Sequence, residues 1–226
     1  MRCVKTSLYG LLIIAAVAAL SCRPRASSNV PAIKGPPSGH QRMLDLLAAR
    51  KESSLATSPM FGDADLREAE MQLEQQHLSD WERFGASYIA GLAAKRLGRY
   101  ELAIAHLRKA YELIQGIPAS VKARLPGIEH RTLMELAGAC LRLGETNNCI
   151  ACQNSDSCIF PIRAEGVHTD KTGSQMAVQC LERLLEEDPD HLAAKWLLNV
   201  TQMTLGEFPQ AIPPQHRFPA ENLKSE

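Results

Sequence analysis

A short motif that occurs three times constrains this 226-residue chain more than any other feature. The copies are Leu97-Gly98-Arg99-Tyr100, Leu143-Gly144-Glu145-Thr146 and Leu205-Gly206-Glu207-Phe208. An alanine and a β-branched residue follow each copy. They come within a few residues of the first and third copies, at Ala103-Ile104 and Ala211-Ile212, but about 30 residues after the second copy, at Ala177-Val178. Self-similarity of this kind predicts a fold of stacked structural repeats.

The motif resembles the middle of a tetratricopeptide repeat, in which helix A, a glycine turn and helix B follow one another. Units that begin near Phe84, His130 and Leu192 place the motif glycine at the fifteenth position each time. The resemblance implies an all-α fold, a tetratricopeptide-repeat array of helical hairpins, over residues 81–212. It also places Gly91 at the helix-crossing position of the first unit and makes Leu107 and Ala110 the packing residues of helix B.

The spacing of the glycines predicts a long insertion in the second repeat. Gly98 and Gly144 are 46 residues apart, and Gly144 and Gly206 are 62 residues apart. A tetratricopeptide repeat has about 34 residues, so about 28 extra residues fall between helices A and B of unit two. We therefore expect a loop over residues 147–175, and this loop contains cysteines.

The third unit is incomplete. Its helix B would stop at Pro213-Pro214, because proline lacks the amide hydrogen and clashes with the preceding turn. Repeat arrays normally end in a helix with a polar outer face, yet helix A of this unit carries Trp196-Leu197-Leu198. We expect residues 213–226 to form a Pro-rich extended tail over this helix, and an apolar patch beside it to dock another domain or a second copy.

The N-terminus has the pattern of a secretory signal. Arg2 and Lys5 precede an apolar run of about 13 residues, which is shorter than the roughly 20 that a membrane-spanning helix needs. Residues 1–21 are therefore predicted to be a signal peptide. Cys22 resembles the lipid-bearing cysteine of bacterial lipoproteins, with ordinary cleavage or an uncleaved anchor as alternatives. The prediction is an exported lipoprotein of the bacterial cell envelope, on the periplasmic side of a membrane.

Two segments separate this signal from the repeats. Residues 22–40 are rich in proline, glycine and serine, and such segments bury too little apolar surface to fold, so we expect a disordered tether. Residues 41–80 are predicted to contain two helices, near 41–53 and 63–77, because apolar residues recur there at helical spacing. These helices would cover the first repeat.

Three of the seven cysteines, Cys149, Cys152 and Cys158, lie in the predicted insertion. Haem attachment requires Cys-x-x-Cys-His, but Gln153 follows Cys152, which excludes it. In an exported protein, a disulfide between Cys149 and Cys158 is the simplest interpretation. Cys152 and His168 are then candidate metal ligands, and a zinc site of three cysteines and one histidine stays an alternative. No other cofactor is predicted.

Two further segments carry a more specific resemblance. They are Asn148-Cys149 with Ser157-Cys158-Ile159-Phe160-Pro161-Ile162, and Trp196-Leu197-Leu198-Asn199 with Met203-Thr204-Leu205-Gly206-Glu207-Phe208-Pro209. Both resemble the N-terminal repeat region of exported bacterial proteins of the FG-GAP and ASPIC/UnbV family, relatives of the cartilage acidic proteins. In that family the region precedes a calcium-binding β-propeller. The chain ends about where the propeller would begin, so the resemblance implies a propeller-type partner or domain and no calcium site here.

The predicted function is a membrane-tethered scaffold, not an enzyme, that binds a protein or peptide. The resemblance to tetratricopeptide arrays implies a groove lined by helix A side chains, here Tyr88, Leu92, Lys95, Met134, Gly138, Leu141, Trp196, Val200 and Met203. One alternative is that the N-terminal helices or the long loop fill the groove. Another is a metal- or thiol-dependent accessory protein that uses Cys149, Cys152, Cys158 and His168.

The charge balance argues against nucleic acid as a partner. The whole chain has 25 basic and 25 acidic residues, and removal of residues 1–21 would leave 23 basic against 25 acidic. Proteins that bind nucleic acid through its phosphates normally carry an excess of Lys and Arg.

Overall fold

The computed structural model describes residues 38–58, 62–152, 156 and 159–223. Within these ranges the regular secondary structure is all helical: α1 (Gly39–Thr57), α2 (Ala64–Leu73), α3 (Asp80–Arg96), α4 (Tyr100–Gly116), α5 (Ala119–Lys122), α6 (Ile128–Cys152), α7 (Thr172–Glu187) and α8 (Leu192–Leu205). Short 3-10 turns occur at Ala164–Gly166, Pro214–His216 and Ala220–Leu223. None of these helices is long and apolar enough to cross a membrane. The predicted signal peptide and Cys22 lie outside the described residues.

Four helices form two stacked hairpins. α3 packs against α4, α6 packs against α7, and α4 contacts α6. α8 packs on α7 and supplies helix A of the third unit. The predicted all-α array of helical hairpins is therefore confirmed.

α2 extends the array on its N-terminal side. Its Leu66 and Ala69 are buried in a cluster that also contains Ala90 of α3, so α2 covers the first repeat. α1 behaves differently, because its Leu46 and Leu47 are 60% and 58% exposed. Of the two N-terminal helices expected to cover the repeat, α2 is thus the one with a buried apolar face.

Gly91 lies where α3 crosses α4. A Cβ atom at this position would lie 2.5 Å from Cγ and 2.9 Å from Cδ2 of Leu107. Leu107 is itself fully buried, and close-packed interiors have no room to move such a side chain aside. The crossing predicted at Gly91 is confirmed, and it depends on the absence of a side chain there.

The three motif glycines do not have the same conformation. Gly98 and Gly206 end α3 and α8 with φ of 73° and 75°, a left-handed conformation that glycine adopts without steric cost. Gly144 instead lies inside α6, which continues to Cys152. The glycine turn predicted at this position is therefore wrong.

Tertiary contacts explain why α6 continues past Gly144. A Cβ atom there would lie 3.2 Å from Nδ1 of His168 and 3.4 Å from Oγ of Ser174, so the glycine makes room for other side chains. Nδ2 of Asn148 donates to the carbonyl oxygens of Gly144 at 2.7 Å and Asp170 at 2.9 Å, while Oδ1 accepts from the Asp170 amide at 2.8 Å. These bonds attach the added turns of α6 to the start of α7.

The insertion is consequently shorter than the spacing predicted. The segment between α6 and α7 is residues 153–171, whereas the loop was expected over residues 147–175. The backbone at Cys149 and Cys152 is helical, so placing these two cysteines on a loop is wrong.

The second half of α8 is buried on all sides. Every residue from 198 to 205 is buried. α7 packs against this helix, and the inserted segment reaches its last turn, where the His168 amide donates to the Thr204 carbonyl at 2.8 Å. Nζ of Lys171 also donates to the Leu205 carbonyl at 2.8 Å. A helix enclosed in this way is part of the core, although it is the last helix of the array.

The tail folds back on α8 through short 3-10 turns instead of the extended conformation that we expected. Ile212 is buried in the same cluster as Leu198. Asn199 holds the tail, because its Nδ2 donates to the His216 carbonyl at 2.8 Å and its Oδ1 accepts from the Phe218 amide at 3.0 Å. Most of the apolar surface expected to dock another domain is therefore covered by this chain itself.

The crossing at Gly91 leads to a stability prediction. Gly91→Ala should lower the free energy of unfolding by about 1–3 kcal/mol, because the added methyl overpacks the contact with Leu107. Gly85→Ala is the matched control on the same helix, since nothing lies within 4 Å of a Cβ atom there. It should leave stability unchanged or raise it by up to about 1 kcal/mol. Urea unfolding measures both, and equal stabilities for the two variants would contradict the prediction.

Candidate functional site

The helix A residues of the first two repeats line a common groove. It contains a pocket of about 520 Å³, lined by Leu92, Lys95, Arg96, Tyr100, Gly138 and Arg142. Leu92 and Lys95 of α3 and Gly138 of α6 are among the predicted groove residues, and the structure brings them together. Tyr88 and Met134, also predicted, are half-buried on the same two helices.

Gly138 leaves the floor of this pocket open. A Cβ atom there would have only Nζ of Lys95 within 4 Å, at 3.9 Å. Leu141, predicted as a groove residue on the same helix, is instead buried in the core cluster. On the α6 side the groove is therefore lined by Gly138 and Arg142, and not by Leu141.

The groove residues predicted on α8 do not line an open surface. Val200 is buried and Met203 is completely buried, because α8 is enclosed by α7, the inserted segment and the tail. Trp196, near the start of the helix, is 47% exposed. Val200 and Met203 of the third unit are therefore core residues that a ligand would not contact.

Three cations lie on the groove, and each has a carboxylate partner. Lys95 forms an ion pair with Glu135. The guanidinium of Arg96 lies 2.7 Å from the Asp65 carboxylate, and that of Arg142 lies 2.8 Å from Glu145. The Arg142 side chain is 64% exposed, and an ion pair in that setting contributes little to stability.

Two of these cations were not predicted as groove residues, although a sequence signal was present. Arg96 and Arg142 both occupy the thirteenth position of their units, counted from Phe84 and His130. This position directly follows the last of the predicted groove positions. The repeat therefore places a cation on the same edge of the groove twice.

His168 is a core residue of the second and third repeats. It is 2% exposed, and its Nδ1 lies 2.9 Å from Oγ of Ser174, which in turn lies 2.8 Å from Oγ1 of Thr204. Burial lowers the pKa of the His168 imidazole, against the opposing effect of the carboxylates of Glu145 and Asp170. The hydrogen-bonded chain joins the insertion to α7 and α8, which gives His168 a structural role.

The metal site and the disulfide predicted for the insertion are not established by this structure. Among the residues described, no group of three or more His, Cys, Asp and Glu side chains could hold a metal ion. The side chains of Cys149 and Cys152, and all of Cys158, lie outside the described part of the chain. A disulfide between Cys149 and Cys158 stays a prediction.

The buried imidazole of His168 makes stability depend on pH. Burial lowers the pKa of His168 in the folded state, so protons bind the unfolded chain more readily than the folded one. The neutral imidazole therefore stabilises the fold fully above the unfolded pKa of about 6.5, and this stabilisation of the fold is lost as the pH falls through the lower folded pKa. His216, whose pKa burial also lowers, adds to the same effect. Urea midpoints of the parent should therefore fall between about pH 7.5 and about pH 5.5.

In His168→Gln the fall of the urea midpoint with decreasing pH should be smaller than in the parent. His40 is exposed, so the His40→Gln control should show the same fall as the parent. The variant should also be less stable at neutral pH, because the bond to Ser174 is altered. An unchanged pH dependence in His168→Gln would show that this imidazole does not control acid sensitivity.

Comparison with known proteins supports the repeat. Residues 85–116 match the family model of the tetratricopeptide repeat. No curated protein and no solved structure matches the chain. The matched residues span most of α3 and all of α4, so the first hairpin of the array, which supplies one wall of the groove, is a tetratricopeptide repeat.

Proposed function

We propose that this protein is an interaction scaffold that holds an extended peptide segment in the groove between α3 and α6. Tetratricopeptide repeats commonly serve protein–protein interaction, and residues 85–116 form such a repeat. The observation that carries the proposal is the open pocket of about 520 Å³ between the helix A residues of two successive units.

The lining of the pocket suggests the chemistry of the ligand. Leu92 and Tyr100 offer apolar surface, and Lys95, Arg96 and Arg142 offer positive charge beside it. The exposed pair between Arg142 and Glu145 costs little to exchange for another carboxylate. We therefore favour a segment that places an apolar side chain over Gly138 and an acidic group near Arg142.

Gly138→Leu tests this proposal, because the new side chain would fill the open floor of the groove. Peptides selected from a displayed library on the parent protein should lose most of their affinity for this variant, by about tenfold or more. Gly116→Leu is the matched control, since it adds the same side chain at an exposed helical glycine outside the groove with nothing within 4 Å.

Arg142→Glu should weaken the binding of the same peptides. The loss of affinity should be largest for acidic peptides, because two negative charges then meet at position 142. Fluorescence anisotropy of labelled peptides gives the affinities. If Gly138→Leu binds as well as the parent, or if the selection returns only peptides indifferent to both substitutions, the groove is not the binding site.

The proposal also includes the location of the scaffold. The signal-like residues 1–21 and Cys22 favour an exported, lipid-anchored protein that carries its groove on a tether of residues 22–40. The prediction is that the full-length protein partitions into detergent and that Cys22→Ala does not. Equal partition of both into the aqueous phase would remove the lipid anchor from the proposal and leave the groove unaffected.

For the partner, we favour a propeller protein of the FG-GAP and ASPIC/UnbV type. The support is the resemblance of residues 148–162 and 196–209 to the repeat region that precedes such propellers. If a propeller protein copurifies with the parent but not with Gly138→Leu, that result would support a propeller protein as the partner bound in the groove. Copurification that is insensitive to this substitution would place the propeller on another surface.

A further inference from the structure

Two cysteine thiols meet in the core of the second repeat. Cys140 of α6 is 1% exposed, and Cys180 of α7 is half-buried. Both side chains pack in the same core cluster, and both line a pocket of about 230 Å³ with Arg108 and Met176. The two cysteines are 40 residues apart in the sequence, so this pairing is a property of the fold.

The close approach of α6 and α7 brings these thiols together. A Cβ atom at Gly173 would lie 2.5 Å from the Cys140 carbonyl oxygen and 2.6 Å from the Gly144 amide nitrogen, so the two backbones are nearly in contact. Cys180 is seven residues after Gly173, about two helical turns, which returns it to the same face of α7. The antiparallel hairpin therefore directs Cys180 toward α6 beside Cys140.

We propose that Cys140 and Cys180 form a modification site, a dithiol that a small disulfide compound oxidises to a cross-link between α6 and α7. The pair is distinct from the cysteines at positions 149, 152 and 158, which lie at and beyond the end of α6. The pocket of about 230 Å³ beside the two thiols is the entry route for the oxidant.

The reaction is two successive thiol–disulfide exchanges. The Cys180 thiolate attacks one sulfur of the compound RSSR, which breaks the S–S bond, releases RS⁻ and leaves Cys180 as a mixed disulfide. Cys140 gives its proton to the released thiolate and attacks the Cys180 sulfur, which expels the second RS⁻. The protein loses two electrons and two protons, and RSSR becomes two RSH.

The surroundings assign different roles to the two cysteines. Cys180 is the more exposed one. The neighbouring Cys140 thiol lowers the pKa of the Cys180 thiol, burial opposes this, and the charge of Arg108 lowers it further. The neighbouring Cys180 thiol and burial raise the pKa of the Cys140 thiol. Thiolates are the attacking species, so Cys180 reacts first and Cys140 resolves the mixed disulfide.

Tryptic mapping of the oxidised full chain tests the cross-link directly. Cleavage after Arg131, Arg142, Arg163, Lys171 and Arg183 places Cys140 alone on peptide 132–142 and Cys180 alone on peptide 172–183, while the three other cysteines of the repeat region share peptide 143–163. The reduced protein is treated with hydroxyethyl disulfide, alkylated and digested without reductant. We expect peptides 132–142 and 172–183 to be recovered joined in most molecules.

Single substitutions separate the two roles. Cys140→Ala should stop the reaction at a stable mixed disulfide of Cys180 with the reagent, whereas Cys180→Ala should leave Cys140 as a free thiol because it is buried. Met176→Leu keeps both thiols and lines the same pocket, so it should form the cross-link as the parent does. Thermal melting of the cross-linked parent should rise by about 5–10 °C, with no such rise in Cys140→Ala.

Two results would overturn the proposal. One is recovery of peptides 132–142 and 172–183 separately alkylated after oxidation of a folded parent. The other is a mixed disulfide on Cys180 that persists in the parent as it does in Cys140→Ala, because Cys140 would then be unable to reach it.

Discussion

The packing of helix A on helix B at a glycine is the contact on which this structure depends. In the first repeat Leu107 occupies the space that a side chain at Gly91 would need. In the second repeat, a Cβ atom at Gly173 would lie 2.5 Å from a backbone oxygen of α6. Interfaces packed this closely gain dispersion energy from many contacts and have no room for an added methyl group. The angle of each hairpin, and so the position of the next unit, follows from these contacts.

The insertion in the second unit changes what the third unit becomes. Asn148 joins the added turns of α6 to Asp170, so the inserted segment is attached at its end to the hairpin. It then reaches the end of α8 through the His168 amide, and the tail covers the other side through Asn199. An incomplete repeat with an apolar helix A is stable here because two irregular segments replace its missing helix B.

The same arrangement confines the accessible groove to the first two units. Between α3 and α6 nothing fills the space above Gly138, and an apolar floor lies beside a cationic edge. Over α8 the corresponding side chains, such as Met203, belong to the core. The groove that could bind a peptide thus spans two helices, α3 and α6. Its positive edge includes Arg96 and Arg142, which occupy the same position in the first and second repeats.

The repeated Leu-Gly motif, through its resemblance to the tetratricopeptide repeat, was enough by itself to predict the helical hairpins and the crossing at Gly91, because both follow from a local spacing that such repeats share. It could not determine what Gly144 does, since the same Leu-Gly pair ends a helix at Gly98 and Gly206 but lies inside α6 at Gly144, where His168 and Ser174 pack beside the glycine. Only the tertiary structure decided that the α8 side chains are buried and that Cys140 lies beside Cys180, because both features depend on contacts between residues distant in the chain.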